Sequence, residues 1–397
     1  MPRAALARYF DPRKYMYSQH YGCPLLFVSF LFVVAPVFPE SSSPAPMLPV
    51  LHDGAHDFDS LLGNSTFHLR YMLHPLTATP EWTEMTGTGS CYKVWDGRAN
   101  LDTVELDSAK GGHIEGLTLR LYDREARQWR LYWANSRIGR LDPPQVGDFR
   151  DGRGDFYTTD TINGKIVLIR YDWTRMNSGT PHFEQAFSPD GGKTWEVNWI
   201  TDQTRTGEAI WGQPQPGRSS TPPSGSVPAS QSTARDAQHD FDFDFGAWKI
   251  LIRRRLHPLT GSDEWTTMEG TTVTNKIWNG RANLATVEAD GPTGHLELLA
   301  LRLYDPQAHQ WSISFANSDS SVLSVPAVGT FTNGRGEFYD SEIYRGRNIL
   351  VRFSIWPVSP KEVHAEQAFS TDGGQTWETN LINTYSRLSE RGADPAN

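Results

Sequence analysis

Most of this 397-residue chain occurs twice, and that duplication limits its possible folds more than any other feature. "HDFDSLLG" at 56 returns as "HDFDFDFG" at 239, and "VWDGRANLDTVE" at 94–105 as "IWNGRANLATVE" at 277–288. "LRLYD" (119–123) recurs at 301–305, and "EQAFS" at 184 recurs at 366. The offset is 183 positions early and 182 later, a one-residue slip near Gly112 and Gly294. Each copy is about 150 residues, the size of an ordinary domain. The copies are predicted to span 53–205 and 238–388. The Pro-, Ser- and Gly-rich stretch between them, 206–237, has too little apolar content to offset the entropy of ordering and reads as a flexible tether.

Within a copy the pattern is strand throughout. Runs of five to ten residues alternate or stay apolar, separated by Gly, Asn-Gly and Asp-Gly punctuation. In the first copy they cover 65–73, 82–87, 89–95, 98–106, 113–122, 128–135, 145–149, 153–161, 164–173 and 182–188, with 194–201 closing the last hairpin. Even spacing and the lack of helical periodicity predict an all-β fold: two tandem antiparallel up-and-down barrels of about 8–10 strands each. A barrel of that size leaves an interior wide enough for one small ligand.

"FSPDGGKTWE" (187–196) and "FSTDGGQTWE" (369–378) fit S-x-D-x-G-x-T-W, the Asp-box hairpin that recurs in sialidase-type propellers. Propeller blades repeat about every 40–50 residues, whereas Ser188 and Ser370 stand 182 apart. The boxes are therefore read as structural turns. "HDFDFDFGAW" (239–248), with a strand opened by Gly246-x-Trp248, and the closing "FSTDGGQTWETN" resemble bacterial domains of unknown function in the calycin-like superfamily, similar in architecture to lipocalins and fatty-acid-binding proteins. The resemblance covers both copies and implies a barrel with an internal cavity and Trp248 closing one end. The first copy departs from it, with Ser65 where Trp248 stands. The second barrel is accordingly expected to be the better binder.

Residues before the first copy form a separate signal. Arg13 and Lys14 precede the apolar run 24–38 and a Ser/Pro-rich exit, so 1–40 reads as a secretory signal or a short uncleaved anchor. An exported protein of the periplasm or cell exterior is the expectation, with membrane contact only through that segment. Cys91 is the one cysteine of the body and is read as a small packed residue. A net charge of −9 with no long basic run argues against nucleic acid as partner. No phosphate loop or dinucleotide fingerprint calls for a cofactor, and no His/carboxylate spacing for a metal. Oligomeric state is open.

Candidate ligand-binding residues come from polar and aromatic side chains at equivalent positions of both copies. Thr118, Arg120 and Tyr122 share one face of a strand, opposite Leu117, Leu119 and Leu121, and Arg302 and Tyr304 repeat them. Glu184 and Glu366 are read as mates of these arginines, or as acid/base residues. Trp129, Trp133 and Asn135, answered by Trp311, Phe315 and Asn317, are candidates for a cavity wall. Arg98 and Asn100 follow a turn, where they either orient a ligand or cap the turn. His56-Asp57 and His239-Asp240 read as strand-start caps. Three functions fit: a binder of a small apolar or amphipathic molecule, a cofactor-free barrel enzyme using a Glu/Arg/Tyr cluster, and a carbohydrate- or protein-interacting module with filled barrels.

Overall fold

The computed structural model describes residues 53–110, 112–211 and 237–389. The leader 1–40 and most of the tether lie outside the described residues. The first copy forms β1 (Gly63–Met72), β2 (Trp82–Val94), β3 (Ala99–Asp107), β4 (His113–Asp123) and β5 (Gln128–Asn135). It continues with β6 (Gln145–Arg150), β7 (Arg153–Ile162), β8 (Lys165–Thr174), β9 (His182–Ser188) and β10 (Glu196–Gly207). The second copy repeats the order as β11 (Gly246–Arg255), β12 (Trp265–Ile277), β13 (Ala282–Gly291), β14 (Gly294–Asp305) and β15 (Gln310–Asn317). It ends with β16 (Ala327–Thr332), β17 (Arg335–Tyr344), β18 (Arg347–Ser359), β19 (Glu362–Ser370) and β20 (Glu378–Ser389). Each set of ten is a closed antiparallel meander whose first strand pairs with both its second and its last. Closure removes the sheet edges that an open meander would expose. Among the described residues no helix is long and apolar enough to cross a membrane.

The runs 82–87 and 89–95, expected as two strands, are one strand, β2. Gly87 and Gly89 do not break it. A Cβ at Gly87 would stand 1.9 Å from the Glu105 carbonyl oxygen, and one at Gly89 would stand 2.6 Å from the Phe67 ring. Glycine is there because neighbouring groups come that close. At the far end of the first copy, β10 runs to Gly207 and Trp211 stacks on Tyr92 at 3.7 Å, so ordered chain extends past 205.

A short segment before the first strand of each barrel closes one end. His56 and Asp57, expected at a strand start, instead lie in and beside the 3₁₀ turn Gly54–His56, and His56 bonds to Asp59 at 3.0 Å. Phe58 inserts fully buried, edge-on to Trp129 and Phe149 with centroids 5.0 Å away in both cases. Phe241 occupies the equivalent place against Trp311 and Phe331. In the second barrel Trp248 is buried beneath this segment and Arg387 lies 3.9 Å over its ring. Arg387 also donates to the carbonyls of Phe243 and Phe245.

The apolar stripe Leu117, Leu119 and Leu121 does not face the barrel interior. It lies on the outside, packed with Leu101 against Leu284, Leu299, Leu301 and Leu303 of the other barrel. Both barrels use the same face, so the contact is internally two-fold. Two reciprocal ion pairs flank it: Arg98 to Glu297 at 2.6 Å, and Arg281 to Glu115. Arg98 is thus a domain-packing residue and not a ligand-orienting one. Burial alone would raise Glu297, but hydrogen bonds from Arg98 and Ser318 hold its carboxyl below the usual range.

The S-x-D-x-G-x-T-W segments are turns knit by their aspartates. The Asp190 carboxylate accepts from the Thr194 N–H at 2.9 Å, the Thr194 hydroxyl at 2.7 Å and the Ser188 hydroxyl at 2.8 Å. Asp372 does the same with Thr376 and Ser370. These bonds favour the ionised form, led by Thr194 at one turn and Thr376 at the other, and both aspartates fall to about 2.

Candidate functional site

The two interiors differ. In the second barrel a large apolar cluster runs from Phe241 and Trp248 through Ile313, Phe331 and Phe338 to Phe353 and Tyr385, with Phe315 and Leu381 packed on it, and Ile349, Val351 and Phe369 form a separate one. In the first, the apolar side chains fall into three separate clusters, around Phe58 and Trp129, around Phe67 and Leu106, and around Val167 and Ile169. A cavity of about 290 Å³ touches members of all three. This cavity lies in the first barrel, whereas Trp248 directed the expectation to the second.

The cavity wall is aromatic. Trp133 of β5, Tyr171 and Trp173 of β8, Phe183 of β9 and Trp199 of β10 all line it. Gly116 makes room for the Trp133 ring, which would stand 2.1 Å from a Cβ on β4. The end near Phe58 is sealed: Tyr122 accepts a hydrogen bond from the Gly54 N–H at 3.0 Å, and the Trp129 indole donates to the Gly54 carbonyl at 2.9 Å. Phe156 of β7 meets Phe58 at 5.8 Å. Asp160 stands four residues further along that strand, about 13 Å away at the usual rise. Asp142, Pro143, Asp160 and Ile162 consequently mark the opposite end of the cavity.

Polar groups reach the cavity from three places. Arg120, 1 % exposed, donates to Asp102 at 3.1 Å and to Asn100 at 2.9 Å, with its guanidinium over Phe58 and Trp173. Burial pushes the Asp102 carboxyl upward and Arg120 opposes it. Gln145 donates through Nε2 to the Pro143 carbonyl at 3.1 Å, but its buried Oε1 finds no partner among the described residues, nor does the Trp173 indole N–H. Asp142 keeps solvent-accessible surface, yet the surrounding protein, and then the charge of Asp160, raise its carboxyl to about 6. Burial likewise lifts the Tyr171 phenol, with Asp142 and Asp160 adding to it.

Of the residues singled out in the sequence, Thr118, Arg120 and Trp133 line this cavity. Tyr122 and Trp129 hold the plug instead. Asn135 accepts from the Ile138 N–H and Asn317 from the Ser320 N–H, so both cap turns. Arg302 ion-pairs with Asp244 and Tyr304 bonds to His309 at 3.2 Å. Trp311 donates to the Ala237 carbonyl at 2.9 Å, and Phe315 packs on Phe353 at 5.3 Å in the second barrel.

Glu184 and Glu366 are not the mates of the arginines. Phe183, Gln185 and Phe187 line the cavity, so alternation along β9 turns Glu184 outward. There it meets His182 at 3.1 Å, and Glu366 meets Arg335 at 3.6 Å. The true mates are Asp102 and Asp244, which occupy non-equivalent positions. Position 102 is aspartate in the first copy and Ala285 in the second, so a search for shared residues passed over it. The same holds for Gln145 against Ala327 and Trp199 against Leu381. Comparing differences between the copies along inward-facing positions would have found them. Cys91 is packed, as expected, against Asn100.

No family model matches the sequence, and no curated protein matches it. Among solved structures, the S-type phycobiliprotein lyase from Guillardia theta matches 40 % of this chain and 95 % of its own at 12 % identity, with a TM-score of 0.29. A protein of unknown function from the DUF3598 family of Nostoc punctiforme matches 85 % of this chain and all of its own, at 10 % identity and a TM-score of 0.22. A putative AttH from Nitrosomonas europaea matches 88 % and 99 % at 11 % identity, with a TM-score of 0.14.

Proposed function

We propose that the first barrel binds a small amphipathic molecule in its cavity and that the second is a filled partner supporting it. The observation that carries this reading is the aromatic-walled cavity of about 290 Å³, open at one end, in one barrel of a duplicated pair. Ligand pockets of this kind pair an apolar wall with a few polar groups that fix orientation, here the side chains of Asp142, Gln145 and Asp160 in the lining. The enzyme reading loses its acid/base, because Glu184 lies outside the barrel while Arg120 is already paired and Tyr122 holds the plug. The same proposal has the protein exported, on the strength of the basic flank and apolar run at 24–38.

Titration with 2-naphthylmethanol, followed by tryptophan fluorescence, tests the cavity. Saturable binding is expected, and Thr118→Phe, which fills the space beside Trp133, should abolish it while the protein stays folded. Binding unchanged by Thr118→Phe would place the probe elsewhere and sink the proposal.

A further inference from the structure

The charges around the cavity are unbalanced. Its lining holds three carboxylates, Asp102, Asp142 and Asp160, against one cation, Arg120. Arg120 and Asp102 satisfy each other. Asp142 and Asp160 make no ion pair among the described residues, although both border apolar surface. Two uncompensated carboxylates on one small cavity repel each other and resist desolvation. A third acceptor lies with them. The Gln145 side chain is 2 % exposed and belongs to the same lining, its Nε2 is fixed to the Pro143 carbonyl, and its buried Oε1 has no donor among the described residues. The fixed Nε2 settles which end of the amide is free: an acceptor.

We infer that the ligand carries a protonated primary or secondary amine, held at the cavity mouth by Asp142, Asp160 and Gln145, with its apolar body against Trp133, Tyr171 and Trp199. This rests on the reading of the cavity as a binding site. An alkylammonium offers two or three N–H donors to three acceptors, and its charge offsets one of the two carboxylates as it enters. The aromatic wall suits it as well, since ring faces attract cations when water is displaced. An anionic head group would meet both carboxylates, with Arg120 already occupied. Desolvation, and then the charge of Asp160, raise the Asp142 carboxyl to about 6, and a cation beside it would oppose both. The titratable groups facing it are Asp160 on β7 and Tyr171 on β8, with the Arg120–Asp102 pair further along the lining.

Three probes of one shape test the inference on the intact protein at pH 7.5: 2-naphthylmethylamine, 2-naphthylmethanol and 2-naphthoate. The amine is expected to bind about tenfold or more tightly than the alcohol, as a charge pair in a partly desolvated site allows, and the naphthoate most weakly. Asp142→Asn with Asp160→Asn should bring the amine-to-alcohol ratio close to one. Equal affinities for amine and alcohol in the unaltered protein would overturn the cationic head group while leaving the cavity reading intact. Failure of all three probes to bind would overturn both. Because the ratio is read within one protein, the test does not depend on the variants folding.

Discussion

Arg302 reaches Asp244 in the segment that plugs the second barrel, whereas its counterpart Arg120 reaches Asp102 on the neighbouring strand of the first. The same arginine therefore ties plug to wall in one barrel and strand to strand in the other. Asp244 also accepts from the Thr274 hydroxyl at 3.1 Å, at the position Cys91 fills in the first copy. Arg302 and Asp244 are both nearly inaccessible. Removing one member of such a pair strands a buried charge and costs about 3–5 kcal/mol, while replacing both with apolar residues is often near neutral. Asp244→Leu should thus lower stability in denaturant by about that amount, and adding Arg302→Met should recover most of it. A double variant no more stable than the single would contradict the account.

The interface between barrels yields a second expectation. Because both copies present the same leucine-rich face, one copy alone would expose it, and two such copies can meet in the way the tandem barrels do. Residues 237–397 expressed alone should sediment as a dimer, and Leu301→Asp should prevent that association. A soluble monomer at micromolar concentration would show that this face is not driving the contact.

The turn aspartates set a pH dependence. Asp190 and Asp372 lie at about 2 in the folded chain, below the ordinary 3.8. A depressed folded value means the stabilisation is complete above about 4 and is lost as pH falls toward 2. Replacing both by Asn should flatten the loss of stability between pH 4 and pH 2, read from denaturant midpoints. An unchanged slope would mean that these hydrogen bonds do not persist in solution.

Asp142 has the opposite sign. Its folded value of about 6 lies above the ordinary one, so the folded protein holds its proton more tightly than the unfolded chain. Stability contributed this way is present at low pH and declines as pH rises through 6. Asp142→Asn should lessen that decline between pH 5 and pH 7.5, the remainder coming from Asp340, raised to about 7, and Asp172, raised to about 6. A variant that loses as much stability as the unaltered protein across this interval would assign the effect to other groups.

The barrels were legible because turn residues and alternation recur on a fixed schedule, and because the sequence states that schedule twice. Alternation separates two faces of a strand but does not say which one points inward. Leu117, Leu119 and Leu121 have the appearance of a core and are buried against a neighbouring barrel, while Thr118 and Arg120 point into the cavity. Glycine misled in a similar way, since Gly87 and Gly89 relieve crowding inside a strand rather than ending it. Trp248 directed attention to the second barrel, while the cavity of the first is lined by residues in which the first copy differs, such as Trp199 and Gln145, and by the loop that carries Asp142. Long-range placement of a loop residue over a cavity leaves no periodic mark in the sequence.

A crystal structure of the protein soaked with 2-naphthylmethylamine tests the central claim most directly. The account predicts the naphthyl ring between Trp133 and Trp199 inside the first barrel, its nitrogen within hydrogen-bond reach of Asp142 and Asp160, and no probe within the second barrel. A probe seated in the second barrel, or only on the outer surface of either one, would contradict it.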